Sequence, residues 1–427
     1  MVVVQRDLGQ PIQLARLAAL AVAVGLLAGA SASVFVAGQH HLTHLLWHTL
    51  PHAMGLPFAP WWLTLALPVV GAVLTWQAMR LPGHGGHGPL EAPGLDIGPR
   101  EAVSVLLAAL ASLCFGAVLG PEAPLMAIGT AAGAALFRGR DDPARQVLMI
   151  AGATAAAGAV LGNPLVTTIL VLEIALAAGP AMTTITVILP MLSALAGGYL
   201  LQVGVGPWTG LGDVQLTMKA LPAYPNVRLV DLVVGLVLAV AVAALGLLAP
   251  HAGALVQRLA AAAPLRVLIG AGVVTGASGL LVSALTGLSP ELVVLAGQSA
   301  MGAYLTLPSL GVAAIVLIGK FVAFAVCLGG GFRGGALFPS IALGTILAGS
   351  AGLLMGVPAS PALVATAIAA ATGAMKQPFT GMVLGVMLTI STGPAVTVPA
   401  ILGAVVGTLV RLAGDQFWPT PSAPHAG

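Results

Sequence analysis

Apolar stretches follow one another along nearly the whole chain, with polar residues confined to short joints between them. The clearest run over residues 60–79, 101–119, 182–204, 229–249, 265–287 and 309–328. Each is long enough, or nearly so, to cross a bilayer as a helix. The stretch "LAALAVAVGLLAGASASVFVAG", preceded by Arg6 and Arg16, has the basic flank and small residues of a secretion signal. Its apolar run continues to Val36, however, so it reads as a first transmembrane helix, with a cleaved signal as the alternative. The basic flank then predicts a cytoplasmic N-terminus. All-α and polytopic is the resulting fold class, with residues 1–427 forming a single transmembrane domain.

The alternation is interrupted in a repeated way. "PLMAIGT" at 124–130 lies over "PSIALGT" at 339–345, with Gly120 over Gly335. "AAAGAVLGNPLVTTILVLEI" at 155–174 lies over "AAATGAMKQPFTGMVLGVML" at 369–388, aligning Pro164 with Pro378 and Leu170 with Leu384. Both blocks are offset by 214 to 215 residues, about half the chain. Sequence rich in Ala, Gly and Leu matches itself easily by chance, but two blocks at nearly one offset point to repeats of about 60–205 and 265–414. Repeated halves in a membrane protein place a transport site at their interface.

In both copies a glycine-rich turn precedes a proline and a short apolar helix. Pro124 and Pro339 suit the first helical position. The run from Pro124 to Phe137 is only 14 residues, too short to span. Helices of this kind begin inside the membrane and face protein or a water-filled cavity. Their N-termini present free N–H groups and a partial positive charge, which favour an anion. "GGGFRGGALFP" at 329–339 lets backbone approach such an ion closely. Glu122, between Pro121 and Ala123, can place its carboxylate where the anion would sit and act as a gate, or it can simply cap the helix.

Composition narrows the reading. The chain is 59% hydrophobic and 6% charged, far below the charge a water-soluble surface needs. A net charge of +3 is scattered among loops, with no basic stripe for nucleic acid. The two cysteines, Cys114 and Cys327, form no paired motif. No nucleophile elbow, paired intramembrane aspartates or zinc-protease motif supports an enzyme, and no cofactor is implied.

With these features the chain resembles the CLC family of chloride channels and chloride/proton antiporters. "GPEAP" at 120–124 is similar to the family's G-[KR]-E-G-P, and "GGALFP" at 334–339 to its G-x-F-x-P. "NPLVTTILVLE" follows in the family order, and the likeness extends over about residues 15–414. The resemblance implies two inverted-topology repeats with broken, re-entrant helices, and a homodimer with one anion pathway per subunit. It also implies a gating role for Glu122 and an anion site at Gly120, Ala123 and the backbone of Ala336 and Leu337. "GHGPL" at 86–90 falls at a serine motif of the family, putting His87 in the place of an anion-coordinating hydroxyl. A surface loop histidine is the alternative.

Departures from the family pattern qualify these roles. Pro121 and Ala123 stiffen the gate, Leu337 stands where phenylalanine is common, and the coordinating C-terminal tyrosine has no counterpart after Tyr304. Aligned on Pro164, Glu173 falls one residue before the family's internal proton-carrying glutamate and Ile174 falls on it. Glu122 and Glu173 are thus the proton-pathway candidates, with a structural role as the alternative for Glu173, paired with a backbone or basic group at the cytoplasmic side. The expectation is chloride transport, channel-like or weakly proton-coupled. The alternatives are antiport by a non-standard proton route, or transport of fluoride or nitrate.

Other polar residues have plainer readings. His40, His44 and His48 share a helical face as a polar interfacial rim or, less simply, a metal site. Lys320 and Arg333 focus anions toward the pathway, or Lys320 snorkels to the interface. Asp231 and Glu291 read as first-turn acids of apolar helices. The expected location is the inner membrane of a bacterium.

Overall fold

The computed structural model describes residues 11–91, 97–137, 143–205, 218, 221–357 and 360–418. Arg6 and the C-terminal residues past 418 lie outside them. Among the described residues, nine helices are long and apolar enough to cross a membrane, and four apolar helices are shorter.

The first half comprises α1 (Pro11–His44, continuing helically to Ala53), α2 (Trp61–Ala78), α3 (Pro99–Leu113), α4 (Glu122–Leu136), α5 (Pro143–Leu161), α6 (Pro164–Ala178) and α7 (Ile185–Val205). The second half comprises α8 (Leu229–Ala262), α9 (Pro264–Thr286), the short α10 (Met301–Leu305), α11 (Leu310–Gly329), α12 (Leu337–Leu354), α13 (Pro361–Gly373), α14 (Pro378–Thr389) and α15 (Thr397–Phe417). The packing pattern repeats. In the first half α1 packs on α5 and α7, α4 on α5, and α5 on α7. In the second, α8 packs on α13 and α15, α12 on α13, and α13 on α15. Across the halves, matched helices meet each other: α2 lies on α9 and α6 on α14.

Small residues make these contacts close, as expected where lipid gives no hydrophobic drive for helix pairing. A Cβ on Gly25 or Gly29 of α1 would strike the backbone of α7 at Ala194 or Gly198. Gly129 and Gly133 of α4 meet the backbone of α5 in the same way, and Gly403 and Gly407 of α15 meet that of α13. α13 is buried along its whole length. α8, α9 and α15 instead turn Leu229, Val237, Leu285 and Leu409 outward, where hydrocarbon is the fitting solvent.

Three boundaries differ from the sequence expectations. α3 stops at Leu113 rather than near 119, because the chain turns at Gly116 (φ +109°) toward the middle of the molecule. α1 does not end at Val36 but runs on past the histidines to Ala53. Pro124 and Pro339 occupy third rather than first helical positions, since α4 begins at Glu122 and α12 at Leu337. Proline is tolerated there because every N–H of the first turn lacks an intrahelical partner.

Candidate functional site

The loops leading into α4 and α12 clasp each other. Gly120 N–H donates to the Gly335 carbonyl at 2.8 Å and Gly335 N–H to the Gly120 carbonyl at 2.6 Å, an isolated antiparallel bridge. The two glycines are the positions that the repeat superimposes. The clasp brings the N-termini of both short helices to one place. Both glycines leave the seat of the Glu122 carboxylate open, because a Cβ on either would fall on that carboxylate and displace it.

Glu122 opens α4 but serves the other helix. Its Oε1 accepts the Leu337 N–H at 2.7 Å, at the first residue of α12, and the Phe338 N–H also faces the carboxylate. The second oxygen, Oε2, is buried and meets no donor among the described residues. The carboxylate therefore sits on the positive end of a helix with half of its accepting capacity unused. Ala123 follows it in α4, and Ala336 immediately precedes α12.

Glu173 makes a similar cross-half contact with different terms. It projects from α6 to the N-terminus of α14, where Oε1 accepts from Phe379 N–H at 2.8 Å. Oε2 accepts from Thr380 N–H at 2.9 Å and from the Thr380 hydroxyl at 2.6 Å. Gln377 at the cap position of α14 makes no side-chain cap bond, so Glu173 does that work from the other half. In α6 the equivalent position is Asn163, which caps its own helix through Leu165 and Val166 N–H.

A cavity of about 370 Å³ joins these features. Glu122, Ala123, Glu173 and His87 all line it, together with Arg333 and Lys376. His87 lies exposed in the loop joining α2 to α3, a loop that Gly83, His84, Gly85 and Gly86 fold through positive φ. The structure thus brings Glu122, Leu337, Gly120 and Ala336 to one bridge, and places Glu173 and His87 on the same cavity. Phe338, inside the quoted GGALFP, belongs to this region too, as do Thr380, Glu91 and Lys376, to which the sequence assigned no site role.

Several polar residues lie elsewhere. Lys320 neither snorkels nor lines the cavity: it is fully buried and donates to the Val293 and Leu295 carbonyls at 3.1 and 3.0 Å. These carbonyls belong to the irregular segment between α9 and α10, where Leu295 takes a positive φ of 67°, and the lysine ties that segment to α11. Tyr304 is buried with its hydroxyl on the Leu292 carbonyl at 2.9 Å, away from the clasp. His40, His44 and His48 lie in a row, their rings tilted to one another with centroids 6.4 and 5.1 Å apart, and His48 Nε2 meets Glu291 Oε2 at 3.1 Å. Glu291 stands in a three-residue turn rather than at the start of a long helix. Asp231 sits in the first turn of α8 and pairs with Arg228 at 2.8 Å.

Comparison with known proteins bears on the family and the fold. The family model described as voltage gated chloride channel matches residues 86–412. The chain is 28% identical to "Putative ion-transport protein YfeO" of Salmonella schwarzengrund (strain CVM19633) over 316 residues, covering 71% of this chain and 72% of that protein. The Salmonella newport (strain SL254) protein of the same name is equally similar. Among solved structures, a slow cyanobacterial Cl⁻/H⁺ antiporter superimposes with a TM-score of 0.73 at 18% identity, covering 95% of this chain and 96% of that one. A CLC-type fluoride/proton antiporter gives 0.72 at 19% identity, covering 94% and 96%.

Proposed function

The chain belongs to the voltage gated chloride channel (CLC) family, and from that premise we propose that it moves chloride or a similar small anion across the membrane, with the Glu122 carboxylate as the gate that competes with the anion. One observation carries the reading: the carboxylate lies on the Leu337 N–H at the start of α12, where a free anion would bind. A charge-assisted hydrogen bond of about 1.5–3 kcal/mol holds the gate shut, and either an incoming anion or a proton releases it. Gly120, Ala123, Ala336 and Leu337 line the site from backbone, and His87 stands at the cavity as its side-chain contribution. The working unit is a homodimer in the inner membrane with a cytoplasmic N-terminus, built of repeats over about 60–205 and 265–414.

Transport is channel-like or weakly coupled to protons. Glu173 is engaged by three donors, and carrying a proton would cost α14 its cap. A second reading, antiport by a non-standard proton route, draws on the cavity that Glu122 and Glu173 both line, which is roomy enough for several waters. Because the family's hydroxyl ligands are replaced, fluoride or nitrate is the alternative cargo.

The test is anion efflux from liposomes carrying the purified protein, with external pH recorded throughout. Chloride release without proton movement supports the channel-like reading. Coupled proton uptake sinks it in favour of antiport, and no passage of chloride, fluoride or nitrate removes anion transport altogether.

A further inference from the structure

The cavity holds two basic side chains, Arg333 and Lys376. They differ in one respect. Lys376 is neutralised by Asp415 at 3.0 Å, a carboxylate it shares with Arg411. Arg333 has no ion pair among the described residues. Its Nη2 reaches only the His84 carbonyl, at 3.4 Å, and its Nε is buried with no partner. The neighbouring Glu91 spends its carboxylate on the Gly88 N–H, at 2.7 Å.

The main chain that carries the guanidinium is held in place. The Arg333 backbone N–H donates to the Ser112 hydroxyl at 3.0 Å, which is in turn bonded to the Thr75 hydroxyl at 3.0 Å. Two residues later comes Gly335 of the clasp, followed by the N-terminus of α12. A fixed cation beside the positive end of a helix, with a buried donor left open, is an unfavourable arrangement unless something negative completes it. An open cavity adjoins it.

We propose that the Arg333 guanidinium is a second anion-binding site, holding a small inorganic anion in the cavity before it meets the Glu122 gate. The inference rests on the anion-transport reading and deepens it by adding a fixed charge to a pathway otherwise built from backbone dipoles. The chemistry also sets a preference. A guanidinium offers two parallel donors that match a planar oxyanion such as nitrate, whereas a halide uses only its charge.

The experiment compares wild type, Arg333→Gln, Arg333→Lys and Glu91→Gln. It measures anion binding to purified protein by calorimetry and the concentration dependence of flux in liposomes, using chloride and nitrate in turn. Arg333→Gln should raise the dissociation constant and the half-saturating concentration of both anions by roughly tenfold, the loss of one charge-assisted contact. Arg333→Lys should stay within about threefold of wild type for chloride but lose nitrate by about tenfold. Glu91→Gln should shift both anions in the opposite direction, toward tighter binding, because it removes the nearest competing charge. Size-exclusion profiles identify variants that misfold. If folded Arg333→Gln and Glu91→Gln both keep wild-type constants, the site does not exist. If wild type binds anions in an Arg333-dependent way yet passes none, the site stands and the transport reading falls.

Discussion

Two helix N-termini in the second half, those of α12 and α14, each receive a glutamate from the first half. They are treated differently. α14 is riveted: both oxygens of Glu173 are engaged, by two N–H groups and a hydroxyl. α12 is latched: Glu122 gives one oxygen to Leu337 N–H and keeps the other buried and unpaired. The repeat makes the asymmetry plain, since Leu337 is the counterpart of Glu122 and Met387 that of Glu173. Both acids belong to one half, and the other half supplies backbone dipoles. In the proposed reading, the acid with a whole oxygen unpaired at a glycine-lined helix end is the one that leaves, and the acid held by three donors through both oxygens is structure.

The largest expected effect comes from unlatching α12. Glu122→Gln removes the charge that competes with the anion, so flux in liposomes should rise roughly tenfold or more and lose its dependence on pH. Unchanged flux with unchanged pH dependence would reduce Glu122 to a cap.

Next is Gly335→Ala, which leaves Glu122 in place and fills its seat. The added methyl group would fall on the carboxylate, so the latch should be displaced without removing the acid. Flux should approach that of Glu122→Gln, and the double variant should gain little over either single one. Additive gains would mean that the two residues do not share a site.

The rivet is broken by Glu173→Ala, which leaves two N–H groups and a hydroxyl at the start of α14 unpaired. We expect a loss of about 2–3 kcal/mol in stability, read as a lower melting temperature of the purified protein, with anion flux retained by the folded fraction. Wild-type stability together with altered proton movement would instead make Glu173 a proton carrier.

The position of the latch was legible in the sequence; of the rivet only a backbone or basic partner for Glu173 was, not which one. Gly120, Glu122 and the glycines before Leu337 announce themselves locally: broken helices carry prolines and glycines, and an acid among them is conspicuous in so apolar a chain. The repeat also placed Gly120 over Gly335, which the structure turns into a physical contact. What Glu173 touches depends on how α6 meets α14, 206 residues away, and nothing near it encodes that. Lys320 misled for the same reason. A lysine in an apolar helix reads as snorkelling until the Val293 and Leu295 carbonyls beside it are seen. Arg333 stood out in the sequence, but its buried Nε without a partner is a property of the fold alone.

The smallest effect is reserved for His87, which shares the cavity with both acids but is exposed in the α2–α3 loop. An exposed side chain contributes weakly through water, so His87→Ala should shift the half-saturating chloride concentration by no more than about threefold. Weaker apparent chloride binding in the variant is the sign to look for. The comparison with Arg333→Gln sharpens it, because a guanidinium partly buried at the cavity should matter more than a side chain exposed at its mouth. If His87→Ala behaves as wild type throughout, the histidine is a loop residue near the mouth. The side-chain chemistry of the pathway then falls to Glu122 and Arg333.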